Sequence, residues 1–95
     1  MRIERELSTS LGGKVTLYIE LPLRSDRNDE FYCKIGLEGG GVQKNAVIFG
    51  IDAMQALILA MRHLNGLVVS VSKSMHPNRL VWELGAECDD FGLLL

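Results

Sequence analysis

The chain has 95 residues, 47% of them hydrophobic, and its 10 Lys and Arg residues against 12 Asp and Glu residues give a formal net charge of −2. This length predicts one domain, because a second core would need roughly another 50 residues. The charge lacks the basic excess that drives phosphate binding, so nucleic acid is not expected as a partner. No cofactor is expected either, since so small a domain uses most of its apolar residues in its own core.

The start of the chain and its cysteines indicate a cytoplasmic protein with no membrane span. Residues 1–6 are mostly charged, where a signal peptide would be apolar. The longest apolar run, residues 56–61, is far shorter than the ~20 residues that a span requires. Cys33 and Cys88 are too few and too widely separated for a disulfide framework or a metal motif, which fits a reducing compartment.

The first half of the chain has the two-residue period of half-buried strands. Ile3 and Leu7 share one parity, and apolar residues alternate with polar ones over 14–20, so the two segments predict a hairpin that turns at residues 11–13. Residues 24–29 are all polar and predict a loop. A third strand is expected over 30–37, with Cys33 buried in it as a small apolar group.

A fourth strand is predicted over 42–49, with protein contacts on both faces near its end. The glycines at 39–41 separate it from the third strand. They indicate a hairpin tip and not a phosphate-binding loop, which would lie between a strand and a helix and would be followed by Lys and Ser or Thr.

A long helix is predicted to begin at Asp52, an N-cap residue with Gln55 three positions later. Apolar residues then recur every three or four positions, which is the helical period: Met54, Leu57, Met61, Leu64, Val68 and Val71. This stripe favours a helix that continues through Asn65-Gly66 to about residue 72, although Asn-Gly followed by β-branched residues also allows a turn and a strand. Pro77 ends this region, and the alternation over 80–84 predicts a fifth strand.

The expected architecture is α+β, with an antiparallel sheet in the order β-β-β-β-α-β packed on one long helix. The early connections are too short for the crossovers of a parallel sheet. The sheet face away from the helix carries Tyr18, Tyr32 or Trp82, depending on register. We expect this face to be open to water or to a partner.

No catalytic or metal-binding residue is predicted. His63 lies off the apolar stripe and His76 precedes Pro77 in a loop, so each is expected to be solvated. A Cys–His enzyme would require the fold to bring Cys33 to His63 or Cys88 to His76, which nothing in the sequence indicates. The acidic residues near the C-terminus lack the spacing of a calcium loop.

One resemblance covers most of the chain. Residues 50–60 read Gly-Ile-Asp-Ala-Met-Gln-Ala-Leu-Ile-Leu-Ala, followed by Arg-Leu-Val-Trp at 79–82 and Asp-Asp-Phe-Gly at 89–92. This combination resembles a family of short uncharacterised bacterial α+β proteins. The resemblance implies an antiparallel sheet plus a helix, and it brings no assigned activity and no known site.

The leading functional expectation is a non-enzymatic protein-binding module. Its candidate partner-binding residues are Trp82, Asp89, Asp90 and Phe91, because the chain after residue 80 contains acidic residues and no basic one. An acidic surface would suit a basic toxin such as a nuclease. The alternative is a structural homodimer that pairs through the apolar C-terminal tail or an edge strand, and a small Cys/His-dependent enzyme is the least favoured.

Overall fold

The computed structural model describes residues 1–9, 11–26, 29–74 and 80–81. These residues form an antiparallel sheet and one long helix, which confirms the predicted α+β class. The elements in chain order are β1 (Arg2–Thr9), β2 (Lys14–Glu20), β3 (Leu23–Arg24), β4 (Phe31–Gly39), β5 (Val42–Gly50), α1 (Ala53–Ser74) and β6 (Leu80–Val81).

The strands lie across the sheet in the order β5, β4, β2, β1, β6, and β3 pairs with the same edge of β4 as β2 does. The expectation that residues 24–29 form only a loop is wrong at Arg24, which pairs with Phe31. Ile19 lies opposite Ile35 and Leu23 lies opposite Tyr32. The chain therefore contains one extra residue around Pro22, a position where a bulge tolerates proline, and pairing with β4 then resumes.

Glycine conformation determines the tight β4–β5 hairpin. Gly39 and Val42 are the last paired residues, so Gly40 and Gly41 alone form the loop. Their φ angles of 58° and 83° match the turn type that best suits a two-residue hairpin, in which both central residues have positive φ. The predicted hairpin tip is confirmed.

Asp52 and Gln55 cap the N-terminus of α1 as predicted, but the Gln55 side chain binds a different backbone N–H. The Oδ1 atom of Asp52 accepts a hydrogen bond from the backbone N–H of Gln55 at 2.7 Å. The side-chain Oε1 of Gln55 accepts from the N–H of Ile51 at 2.8 Å, one residue before the N–H that a standard capping box uses. The helix then continues through Asn65 and Gly66, as the apolar stripe predicted.

The buried side of α1 agrees with the predicted stripe at Leu64, Val68 and Val71 and differs from it near the helix start. The helix packs over β4 and β5, and its fully buried residues are Ala56, Ala60, Leu64, Val68 and Val71. The placement of Met54 in the core is wrong, because its side chain is 72% exposed. The physical reason is the close approach of the helix start to Gly50, which selects small side chains for the contact.

The core lies between α1 and the helix-facing side of the sheet. Its strand residues alternate, as the period of a strand requires: Leu7, Val15, Leu17, Ile19, Cys33, Ile35 and Leu37. The burial predicted for Cys33 is confirmed. The expectation that β5 contacts protein on both faces near its end is wrong, since Val47 and Phe49 are 47% and 52% exposed.

The length and mean hydropathy of α1 are sufficient for a membrane span. This is weak evidence, because the core helix of a small domain has the same properties. One side of α1 is buried against the sheet of the same chain, and the other side also carries apolar residues that are exposed, among them Met54, Ile58 and Leu59.

Candidate functional site

The sheet face away from α1 carries a partly exposed row of apolar side chains, which we call the apolar row: Leu23, Tyr32 and Phe49. Leu23 lies opposite Tyr32, and Tyr32 lies opposite Phe49, so the three side chains are neighbours across three strands. The Tyr32 and Phe49 ring centroids are 6.1 Å apart in a tilted arrangement, within the range of a favourable aromatic pair. Leu23 is 54% exposed, so the row is available to a partner.

Val47 extends this apolar surface along β5. It lies two residues before Phe49 and therefore on the same face of the sheet. Its neighbour across the sheet is Lys34 of β4, whose long side chain can border an apolar surface while its charge stays in water. The apolar row thus has a basic residue at its margin.

A second part of the same face is built around Tyr18. Tyr18 lies opposite Gly36, and a Cβ atom at Gly36 would be 2.4 Å from the Tyr18 hydroxyl oxygen. The tyrosine ring therefore rests on the bare backbone of β4, an arrangement in which an aromatic residue covers a strand glycine. Residue 36 must be glycine for this ring position.

Arg2 joins Tyr18 to two carboxylates. Its Cζ atom is 3.8 Å from the centre of the Tyr18 ring, a cation–π geometry. Its Nη2 atom is 2.5 Å from Glu38 Oε1, and its Nε atom is 3.2 Å from Glu4 Oε2. The hydrogen bond to Glu38 raises the pKa of Arg2, so the guanidinium remains charged.

The two parts of the outer face therefore differ in character. Charged side chains of β1 and β2 have partners in the same chain, including Lys14 Nζ at 2.9 Å from Glu6 Oε1. Such exposed ion pairs contribute little to stability, but their charges are already matched. The apolar row has neither charge nor polar cover, so it is the part of this face that gains most from contact with another molecule.

An apolar groove lies on the helix side, where α1 leaves the start of β1 and the end of β2 uncovered. It has a volume of about 290 Å³, slightly smaller than an ordinary small-molecule site. Ile3, Leu21, Leu57 and Met61 line it together with Arg5. The groove is a continuation of the core that the described elements do not fill.

The candidate residues Trp82, Asp89, Asp90 and Phe91 lie outside the described residues, so their role in partner binding stays a prediction. His76, Cys88 and the apolar tail lie outside them as well. Cys33 is fully buried and burial raises the pKa of its thiol, whereas His63 is exposed on α1. A buried, protonated thiol is a poor nucleophile, so these two residues do not form an accessible catalytic pair.

No group of three or more His, Cys, Asp or Glu residues able to hold a metal ion occurs in the part of the chain that the structure describes. The absence of a metal site in the whole protein remains a prediction. Likewise, nothing in the described geometry implies a particular cofactor.

Residues 3–94 match a family model described as Domain of unknown function (DUF6968). The chain belongs to this family. The match extends over nearly the whole sequence, which agrees with the resemblance to an uncharacterised domain family. No curated protein and no solved structure matches the chain.

Sequence reasoning found part of the apolar row and missed the rest. Tyr32 was one of three aromatic residues expected on the open face, depending on register, and it lies there. Leu23 was not singled out, because a leucine beside a polar loop gives no strand signal. Phe49 and Val47 were assigned protein contacts because their strand reads as apolar on both parities. Only the packing of α1 on one side of the sheet shows that the other face of β5 is open.

Proposed function

We propose that this protein is a non-enzymatic, cytoplasmic protein-binding module whose contact surface is the apolar row. The observation that supports the proposal is that Leu23 and Phe49, which are 54% and 52% exposed, flank the half-buried Tyr32 on the sheet face opposite the core. Exposed large apolar residues that adjoin one another are typical of interaction sites. Aromatic side chains are enriched at interfaces, since they bury a large area at small cost in side-chain entropy.

The rest of the outer face supports the same proposal. A protein interface has an apolar centre and a polar rim. Lys34 lies on the same face beside Val47 and gives the apolar row a charged margin, whereas the Arg2–Glu38 ion pair lies further along β4, roughly 20 Å from Tyr32. The burial of Cys33 is consistent with a non-catalytic role, because it removes one nucleophile from solvent.

The experiment is affinity capture from cells of the source organism, followed by titration of the captured and identified protein against the purified chain. The test variant combines Leu23→Glu with Tyr32→Ala, and the control is Leu11→Glu at a 77% exposed residue in the β1–β2 turn. We expect the test variant to weaken binding at least tenfold, because it places a charge in the contact and removes an aromatic ring. Equal affinity of the test and control variants would rule out the apolar row as the contact surface.

A narrower form of the proposal is neutralisation of a basic toxin, such as a nuclease, in a bacterial cell. It is supported by the sequence of the acidic C-terminal segment and by the resemblance to bacterial proteins. The combined Asp89→Lys and Asp90→Lys variant tests it in the same titration. Retention of full affinity by this variant would show that the acidic segment does not contact the partner. The apolar row would then remain as the proposed contact surface.

A further inference from the structure

The outer edge of β5 is not covered by any strand among the residues that the structure describes. All nine residues of the strand pair with β4 on one side, from Val42 opposite Gly39 to Gly50 opposite Phe31. On the other side, no strand of the described ranges pairs with it. A long edge strand with free backbone N–H and C=O groups is a template for another strand, and β5 contains no proline that would prevent pairing.

One charged residue limits which part of this edge can pair. Lys44 lies opposite the buried Leu37 and therefore projects on the helix side of the sheet. A lysine on the inner side of an edge strand opposes pairing around it, because pairing would place the ammonium group against apolar side chains. The five residues from Ala46 to Gly50 carry no charge, so this half of the edge lacks that protection.

We propose that two copies of the chain pair antiparallel through this half of β5, about a two-fold axis at Ile48. In this register Ile48 lies opposite its own copy, and Val47 of each chain lies opposite Phe49 of the other. Val47 and Phe49 are each about half exposed in the single chain. The pairing would bring the two side chains into lateral contact on the outer face as a cross-strand aromatic and β-branched pair, one of the favourable combinations.

Charge and polarity favour this register over two alternatives. An axis at Lys44 would place two ammonium groups opposite each other, and an axis at Ala46 would place Phe49 opposite the polar Gln43. With the axis at Ile48, the paired segments end at Gly50, and Lys44 of one chain lies towards the start of α1 of the other, where Asp52 is exposed. Opposite charges therefore face each other just beyond both ends of the paired segment.

The proposed dimer goes beyond the binding proposal, since it uses the strand edge and not the face. It would place the two apolar rows side by side across the axis as one continuous surface. Five paired residues per chain make a small interface, so we expect a dissociation constant on the order of micromolar or weaker.

The test is sedimentation velocity of the full chain from about 5 to 500 μM at low salt, a range chosen to span that affinity. We expect the mass to rise from monomer to dimer. Lys44→Glu should weaken dimerisation at least tenfold, because it brings two carboxylates together. Adding Asp52→Asn should recover most of the loss, since asparagine keeps the helix cap without the charge. The control Lys73→Glu, at an exposed residue in the last turn of α1 and far from the paired half of β5, should leave the dissociation constant within twofold.

Cross-linking tests the register directly. In a Cys88→Ser background, an equal mixture of Val47→Cys and Phe49→Cys chains should form the mixed disulfide dimer faster than either variant alone. A monomer at every concentration would overturn the proposal. So would a dimer that is unaffected by Lys44→Glu, which is the result expected if the C-terminal tail held the copies together.

Failure of this proposal is distinguishable from failure of the binding proposal. Lys44→Glu should abolish the dimer while each chain still contacts a separate protein through Leu23 and Tyr32. The Leu23→Glu and Tyr32→Ala variant should lose that protein and still dimerise. Loss of both properties in either variant alone would refute the assignment of two separate surfaces.

Discussion

Replacing glycine by alanine at two positions is expected to change stability in opposite directions. At Gly50, an added Cβ atom would lie 2.4 Å from the backbone nitrogen and 2.7 Å from the Cα of Ala56. Backbone cannot rotate away as a side chain can, so α1 must move by roughly 1 Å to reach van der Waals distance. We expect Gly50→Ala to lower the free energy of unfolding by about 1–3 kcal/mol or more, the range for overpacked sites.

At Gly66 the same change meets no obstacle. No atom lies within 4 Å of an added Cβ atom there, and the residue is in the interior of α1. Alanine is favoured over glycine inside a helix by about 1 kcal/mol. For a domain of this size, 1 kcal/mol corresponds to a change in Tm of about 4–8 °C, so Gly66→Ala should melt several degrees higher.

Urea and thermal denaturation, followed by circular dichroism, measure the free energy of unfolding and the Tm of both variants relative to the parent protein. A Gly50→Ala protein as stable as the parent would contradict the close contact between β5 and α1. A Gly66→Ala protein less stable than the parent would show that residues 65–66 are not helical and form the turn that Asn-Gly allows.

Two further predictions concern the cap and the buried thiol. Asp52→Ala should lower the unfolding free energy by about 1 kcal/mol, because it removes the acceptor for the Gln55 N–H, and Asp52→Asn should lower it less; equal losses in urea denaturation would contradict the cap. Burial raises the pKa of the Cys33 thiol. The protonated thiol therefore contributes fully to the free energy of unfolding below the unfolded thiol's pKa of about 8.5, and this contribution is lost as pH rises toward the higher pKa of the folded state. The stability difference between parent and Cys33→Ala should therefore shrink from pH 8 to pH 10, and a constant difference would count against burial of the thiol.

The apolar row shows how far a sequence can predict a binding surface. Tyr32 could be placed on an open face, because alternation along β4 separates it from buried Cys33. Leu23 and Phe49 could not be grouped with it, since they are 26 residues apart in sequence. Their proximity depends on both being paired to the same residue of β4, which is a property of register and not of any local pattern.

The sequence alone determined the features that depend on neighbouring residues. The two-residue period gave the main strands, the three glycines at 39–41 gave the hairpin tip, and Asp52 with the following apolar stripe gave the start and length of α1. Each of these follows from backbone geometry or hydrogen bonds within a few residues. The interactions that stabilise these features therefore lie within short segments, and the local sequence is enough to recognise them.

Only the tertiary structure decided which sides of these elements are buried. Close contact with Gly50 sets the rotation of α1, so Ala56 is buried while Met54 is exposed. The packing of α1 on one face of the sheet leaves Phe49 open on the other face. Burial depends on the approach of segments that are distant in the chain, and a sequence pattern that fits several packings cannot choose among them.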